Sequence, residues 1–543
     1  MLHKTTDSRP KISPAAQVRA KLMTAALAAA LAAGLYAANG SGPARAEQPL
    51  SAIDWLSKSV TNPTRSPGAR GPTLDGWGEA PIAKGGALPE SVSVSPLGAP
   101  SPDAVGLLPA DVTGLPFELW GMSRTDEVIA AIANTDAGDL PALRSLLLTM
   151  LLAEAEPPAD TQGDGRLLIA RIDRLLAMGA LDQADAMIAA SGSSSIALFR
   201  RAFDVALLTG NEDRACQTLR ARPNLSPTPQ TRIFCLARSG DWDAAALTLR
   251  TGVALGQLDA QDEALMGRFL DPDMFEDLPP PEPPQPVTPL AWRMFEAIGE
   301  PLPTVTLPLA FAHAELGPNA GWKSQLEAVE RLARAGVVAP NLLLGLYTER
   351  KPAASGGVWD RAAAFQDFDR ALGEGDIRAI ERALPIVWDQ MVEAELEVPF
   401  AMLYGGALSK LALTGDAACV AFRVGLLSPA AAEVAASTQC DEASVAFLAG
   451  LAQGDVAGII PPDSTARAIA PAFRNPDPGP ELGALLTEGR PGEAILAAIN
   501  RISMALRGDQ RGVAQGLSLL RVAGLERAAR QTALELMILE RRG

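Results

Sequence analysis

Gly240-Asp241-Trp242-Asp243-Ala244-Ala245 reads as the end of one helix and the start of the next. Glycine suits the left-handed residue that closes a helix, and Asp directly after it can cap the following one. A small residue five positions after the glycine lets the second helix lie close against the first. The same punctuation recurs in both directions. Upstream it falls at Gly179 and Gly210; downstream at Gly336, Gly375, Gly415, Gly454, Gly489 and Gly524. Gly210-Asn211, Gly375-Asp376, Gly415-Asp416 and Gly454-Asp455 repeat the capping pair, and Ala184, Ala215 and Ala494 repeat the small residue of Ala245. Between the turns the apolar spacing is helical, as in Leu168, Ile172, Leu175 and Leu176. β-branched alternation is nearly absent. The expected fold is all-α, a series of antiparallel helical hairpins.

Gly240-Asp-Trp-Asp-Ala-Ala245 and Gly489-Arg-Pro-Gly-Glu-Ala494 resemble the inter-helix turn of tetratricopeptide-type (TPR-like) repeats. The Trp, Leu-Gly and Tyr positions of that family do not recur regularly. Ile380 and Val420 replace the small residue after Gly375 and Gly415. The resemblance implies an α-solenoid over roughly residues 125–543, whose stacked hairpins hold peptides or other subunits. It implies no catalytic group.

The N-terminus has the three-part layout of a secretory signal peptide. Basic residues run to Lys21, an apolar run spans Leu22 to Ala38, and Ala44-Arg45-Ala46 is a small-x-small cleavage site. Residues 1–46 are expected to be removed, giving a periplasmic chain; the alternative is an inner-membrane anchor at 22–38. No later stretch is long and apolar enough to span a membrane. The whole chain carries −16, and the mature chain −21, which repels nucleic acid and anionic lipid.

Residues 47–124 are expected to be a disordered tether, because 24 of the 56 residues from Thr61 to Pro116 are Pro, Gly or Ser and cannot bury enough apolar surface to order themselves. Within it, segment 51–60 places Ile53, Leu56 and Val60 on one helical face with Trp55 beside it. That is either a short docking motif or a stray hydrophobic cluster. Order is expected to resume at Leu115-Pro-Phe-Glu-Leu-Trp120. A first helical region, 125–278, and a second, 290–543, are expected on either side of an extended proline-rich spacer at 279–289.

Chemistry is scarce. Once His3 leaves with the signal, His313 is the one imidazole, on a short apolar helix, and it reads as a packed or capping residue. The acidic cluster Asp271, Asp273, Glu276 and Asp277 lacks the central Gly and distant Glu of a calcium loop. No phosphate-binding loop or nucleophile elbow is present. No catalytic residue, cofactor or metal is assigned. The four cysteines have no Cys-x-x-Cys spacing and no His co-ligands, so two disulfides are expected rather than zinc, with four buried thiols as the alternative. Cys216 pairs with Cys235, and Cys419 with Cys440. Each pair brackets a helix start, Thr228-Pro229 or Ser428-Pro429, and would staple two successive helices.

These features point to a non-enzymatic exported scaffold or adaptor for a protein of the cell envelope. The alternatives are a peptidoglycan-active enzyme of the lytic transglycosylase type, and a structural protein that binds glycan or membrane. The family signature of the transglycosylase, a catalytic Glu-Ser with a Gly-Leu-Met-Gln segment downstream, is not present as a set: no Gly-Leu-Met-Gln occurs.

Overall fold

The structure is a computed structural model that describes residues 101–192, 195–275, 279–436 and 440–539. All of these belong to one unit, Lys58–Gly543. The signal segment 1–46, the docking candidates Ile53, Trp55, Leu56 and Val60, and the tether up to residue 100 lie outside the described residues. Among the described residues the chain forms 24 α-helices and no β-strand.

The helices form where apolar residues recur on one face. In Arg166–Ala177, Leu168, Ile172 and Leu175 are buried, and in Trp322–Arg334 the same holds for Leu326, Val329 and Ala333. Successive helices pack pairwise: Ile196–Thr209 on Glu212–Ala221, Pro229–Arg238 on Trp242–Ala254, Val358–Glu374 on Ile377–Glu393. All nine turn glycines, 179, 210, 240, 336, 375, 415, 454, 489 and 524, have positive φ. Asp241 and Asp376 cap the next helix, accepting from the N–H of Ala244 and Ala379. Three turns differ from this pattern. Asn211 sits at the start of Glu212–Ala221 without capping it, its side-chain amide donating to the Thr209 hydroxyl at 3.1 Å instead. Gly415 opens the helix Gly415–Leu426 after Thr414, so Asp416 lies inside its first turn. Asp455 accepts from the N–H of Ala457, and the next helix starts only at Ser464.

Two further expectations are corrected. Residues 101–124 are packed rather than part of a tether. Leu107, Leu108, Leu115, Leu119 and Trp120 are buried, and Asp103 is fully so. These few apolar residues are diluted by Pro and Gly in the composition, yet each finds a place against later helices. The proline run does not separate two cores either. Pro289 is the first residue of the helix Pro289–Ala297, whose Met294 and Phe295 join the core of Phe199, Phe203, Phe234 and the first disulfide. The next core begins at Trp322 and is built around Phe365, Phe368, Phe400 and Tyr404, whose rings stand 5.0 to 6.2 Å apart.

The last described helices return to the first. Pro491–Ser503 packs on Thr125–Asn134, and Glu526–Ile538 packs on Pro141–Leu152. The N–H of Met122 donates to the Gly489 carbonyl (2.9 Å), and that of Gly492 to Leu119 (2.8 Å). Glu535, buried, takes the Ala142 N–H at 2.8 Å and so caps the Pro141–Leu152 helix from nearly 400 residues away in sequence. Arg490 pairs with Glu127 at 2.8 Å, and Arg507 pairs with Asp136.

Candidate functional site

The cystines are the first residues to place. Cys216 in Glu212–Ala221 is bonded to Cys235 in Pro229–Arg238, with Cα atoms 5.0 Å apart. Thr228 and Pro229 open that second helix, and the Thr228 hydroxyl accepts from the Thr231 N–H. Cys419 in Gly415–Leu426 is bonded to Cys440, Cα atoms 4.6 Å apart. Cys440 is not on a following helix; it precedes the helix Val445–Gln453 in a stretch without regular structure. The second bridge therefore ties a helix to a loop. Glu442 lies within 4.8 Å of both sulfurs, and it is held by Arg423 at 2.6 Å. Both sulfurs are committed to each other, so this group is a cystine with an ion pair beside it.

His313 lies in the 3-10 segment Leu309–Leu316. Its Nε2 is 2.7 Å from the Gly179 carbonyl oxygen, which can only accept, so Nε2 carries the proton. Burial lowers its pKa, outweighing the Gly179 bond and the charge of Asp182. The imidazole thus ties segment 309–316 to one of the hairpin turns.

Two buried ionic clusters escaped the sequence reading. In the first, both oxygens of Glu330 are occupied. The Tyr347 hydroxyl donates to Oε1 at 2.6 Å, and Arg361 donates to Oε1 at 2.9 Å and Oε2 at 2.7 Å. Burial, then the Glu330 charge, pushes the Tyr347 phenol well above its ordinary range. The cluster joins three helices: Trp322–Arg334, Pro340–Glu349 and Val358–Glu374. The available signal was Glu330 itself, a charge on the apolar face of Leu326, Val329 and Ala333. In the second, Arg171 donates to the carbonyls of Leu151 (2.8 Å), Val105 (2.6 Å) and Ala153 (2.7 Å). Asp103 accepts from the N–H of Leu168 at 2.9 Å and from the Thr161 hydroxyl at 2.9 Å. Burial pushes the Arg171 guanidinium down to about 10, so it stays charged at neutral pH.

A surface groove is different in kind. The hairpin Val358–Glu374 and Ile377–Glu393 encloses a groove of about 380 Å³. Ala364, Ala371, Ala379 and Ala383 form its floor, and small side chains there allow another backbone to approach closely. Ile386 stands at its side, 60% exposed. The rim carries Arg382, Glu374 and the pair Arg370–Asp367, joined at 2.6 Å. An apolar floor with charges of both signs around it suits an amphipathic segment. Gly375, in left-handed conformation at the end of the first helix, sets the reversal that makes the groove.

No family model, no curated protein and no solved structure matches this chain.

Proposed function

We propose that the protein is an exported, non-enzymatic scaffold that holds a protein partner of the cell envelope. We propose further that an amphipathic helix of that partner lies in the groove of the 358–393 hairpin. The observation that carries this reading is the groove itself: an alanine floor, the exposed Ile386 and a rim of mixed charge. The paired hairpins with left-handed glycines at their turns support reading the array as a TPR-like α-solenoid. The two cystines fit an oxidising compartment and so support export, with cleavage after Ala46 part of the proposal. No helix among the described residues is long and apolar enough to cross a membrane.

The test compares affinity captures from an envelope extract with the mature wild-type chain and with the Ile386→Glu/Arg382→Glu variant. A reproducible partner that the variant loses supports the reading. A partner held equally by both, or no reproducible partner, contradicts it.

A further inference from the structure

The hairpins from Ile196 to Ala254 carry eight arginines against five carboxylates, in a chain whose net charge is −16. The two signs are unevenly placed. Glu212, Asp213, Asp241 and Asp243 stand beside the turns at Gly210 and Gly240, where Arg238 pairs with Asp213 at 2.7 Å. Arg200, Arg220, Arg222, Arg232 and Arg250 each lie 8 to 12 residues from their turn glycine. At about 1.5 Å per residue, that is roughly 12–18 Å along the helix axis. Because the hairpins are antiparallel, the five arginines gather at the opposite end of the array. The Cys216–Cys235 bond fixes this register, since it sets Arg220 across from Thr231 and Arg232.

All five side chains are exposed, and none of them is in an ion pair with a described residue. Three of the carboxylates near this end have other tasks. Asp173 is held by Arg201 at 2.5 Å, Asp262 accepts from Gln230 at 2.8 Å, and Asp259 caps its own helix. Asp204 stands one turn from Arg200 on the same helix. Two exposed aliphatic side chains flank the arginines: Ile196 at 51% and Leu255 at 66% exposure.

We infer that this end of the disulfide-bonded hairpins is a second binding surface, and that it takes an acidic polypeptide segment in extended form. Neighbouring helices lie about 8–10 Å apart, so four of them present guanidinium groups along roughly 25–30 Å. That matches about eight to ten extended residues rather than a single anion. Guanidinium forks bind carboxylates in pairs, and Ile196 and Leu255 can take apolar residues at the ends of the segment. An anionic membrane fits less well. The exposed aromatic of this region, Trp242, sits at the other end beside Gly240, and the rest of the chain is acidic.

The experiment is a fluorescence-anisotropy titration of the mature, oxidised chain with a labelled Glu/Leu peptide of about sixteen residues, long enough to span the row. Binding at about 50 mM salt that weakens at about 200 mM is expected. The Arg220→Glu/Arg222→Glu/Arg232→Glu variant should lose about tenfold or more in affinity. The milder Arg→Gln set should lose less, in the same direction. Reversal at the exposed arginines Arg467 and Arg527 should leave affinity within about twofold. No binding, or equal loss with the control reversals, overturns the inference. So does flotation with anionic vesicles that the triple variant abolishes while peptide binding is absent. The groove of the 358–393 hairpin is not involved, so either surface can fail without the other.

Discussion

Single residues hold together elements that are distant in sequence, and their protonation makes this testable. Burial holds the Asp204 carboxyl up at about 6, above its ordinary 3.8, against the opposing charges of Arg200 and Arg201. A folded-state pKa above the unfolded one means stability that is full below about pH 3.8 and lost as pH rises through 6. Asp204→Asn should therefore stabilise the protein by about 1–3 kcal/mol at pH 7.5, and the gain should vanish near pH 4 in urea titrations. His313 behaves in the opposite sense. Its lowered pKa gives stability that is present above about 6.5 and is lost as pH falls. His313→Gln, which keeps a donor to the Gly179 carbonyl, should flatten that acid limb. Arg171→Met should cost about 3 kcal/mol or more, because three buried carbonyls lose their donor together.

At the scale of elements, the turn and the cystine are what the sequence makes legible. Gly454 illustrates why. Its φ is +86°, and a Cβ there would run into the guanidinium of Arg530. Gly454→Ala should cost about 1–2 kcal/mol from conformation alone, with a further loss as Arg530 is displaced. Removing the Cys216–Cys235 bond as a double Ala variant should cost about 3 kcal/mol, the loop-closure value for about 20 residues. Thermal unfolding of the oxidised chain and both variants checks these values. Local patterns such as the Gly240-Asp241 turn, the Thr228-Pro229 start and helical apolar spacing act over a few residues, so they can be read in order along the chain; Ser428-Pro429 instead lies in a turn before the helix Ala431–Ala436. Cys440 marks the limit. Its partner follows from spacing, but its place in a loop depends on where the short helix Ala431–Ala436 ends, which no residue in the sequence announces.

At the scale of the whole chain, the contacts that matter join distant residues, and local pattern is silent on them. Nothing near Pro141 says that Glu535 caps its helix. Nothing in the Pro- and Gly-rich stretch before Thr125 says that Leu119 and Trp120 pack against Gly492. The charged clusters at Glu330 and Asp103 were missed for the same reason, since the partners of each buried carboxylate come from other parts of the chain. The groove was likewise hidden, because Ala364, Ala371, Ala379 and Ala383 read only as ordinary helix residues. The return of the chain end carries its own prediction. A chain ending at Gly524 loses the helix Glu526–Ile538 and the Glu535 cap, so hydrogen exchange should speed up at least about tenfold in Pro141–Leu152. Protection there that survives the truncation would contradict the contact.

The claim that the protein is a scaffold holding an envelope protein in the 358–393 groove is tested most directly by site-specific photocrosslinking in the intact cell. A photoreactive residue is placed at Ile386, at Arg382, and at the exposed Val522 as control. The account predicts the same polypeptide crosslinked from 386 and 382, absent from 522, and binding again when its crosslinked segment is added as a purified peptide. Unrelated adducts at the two groove positions, or the same adduct from 522, would contradict it.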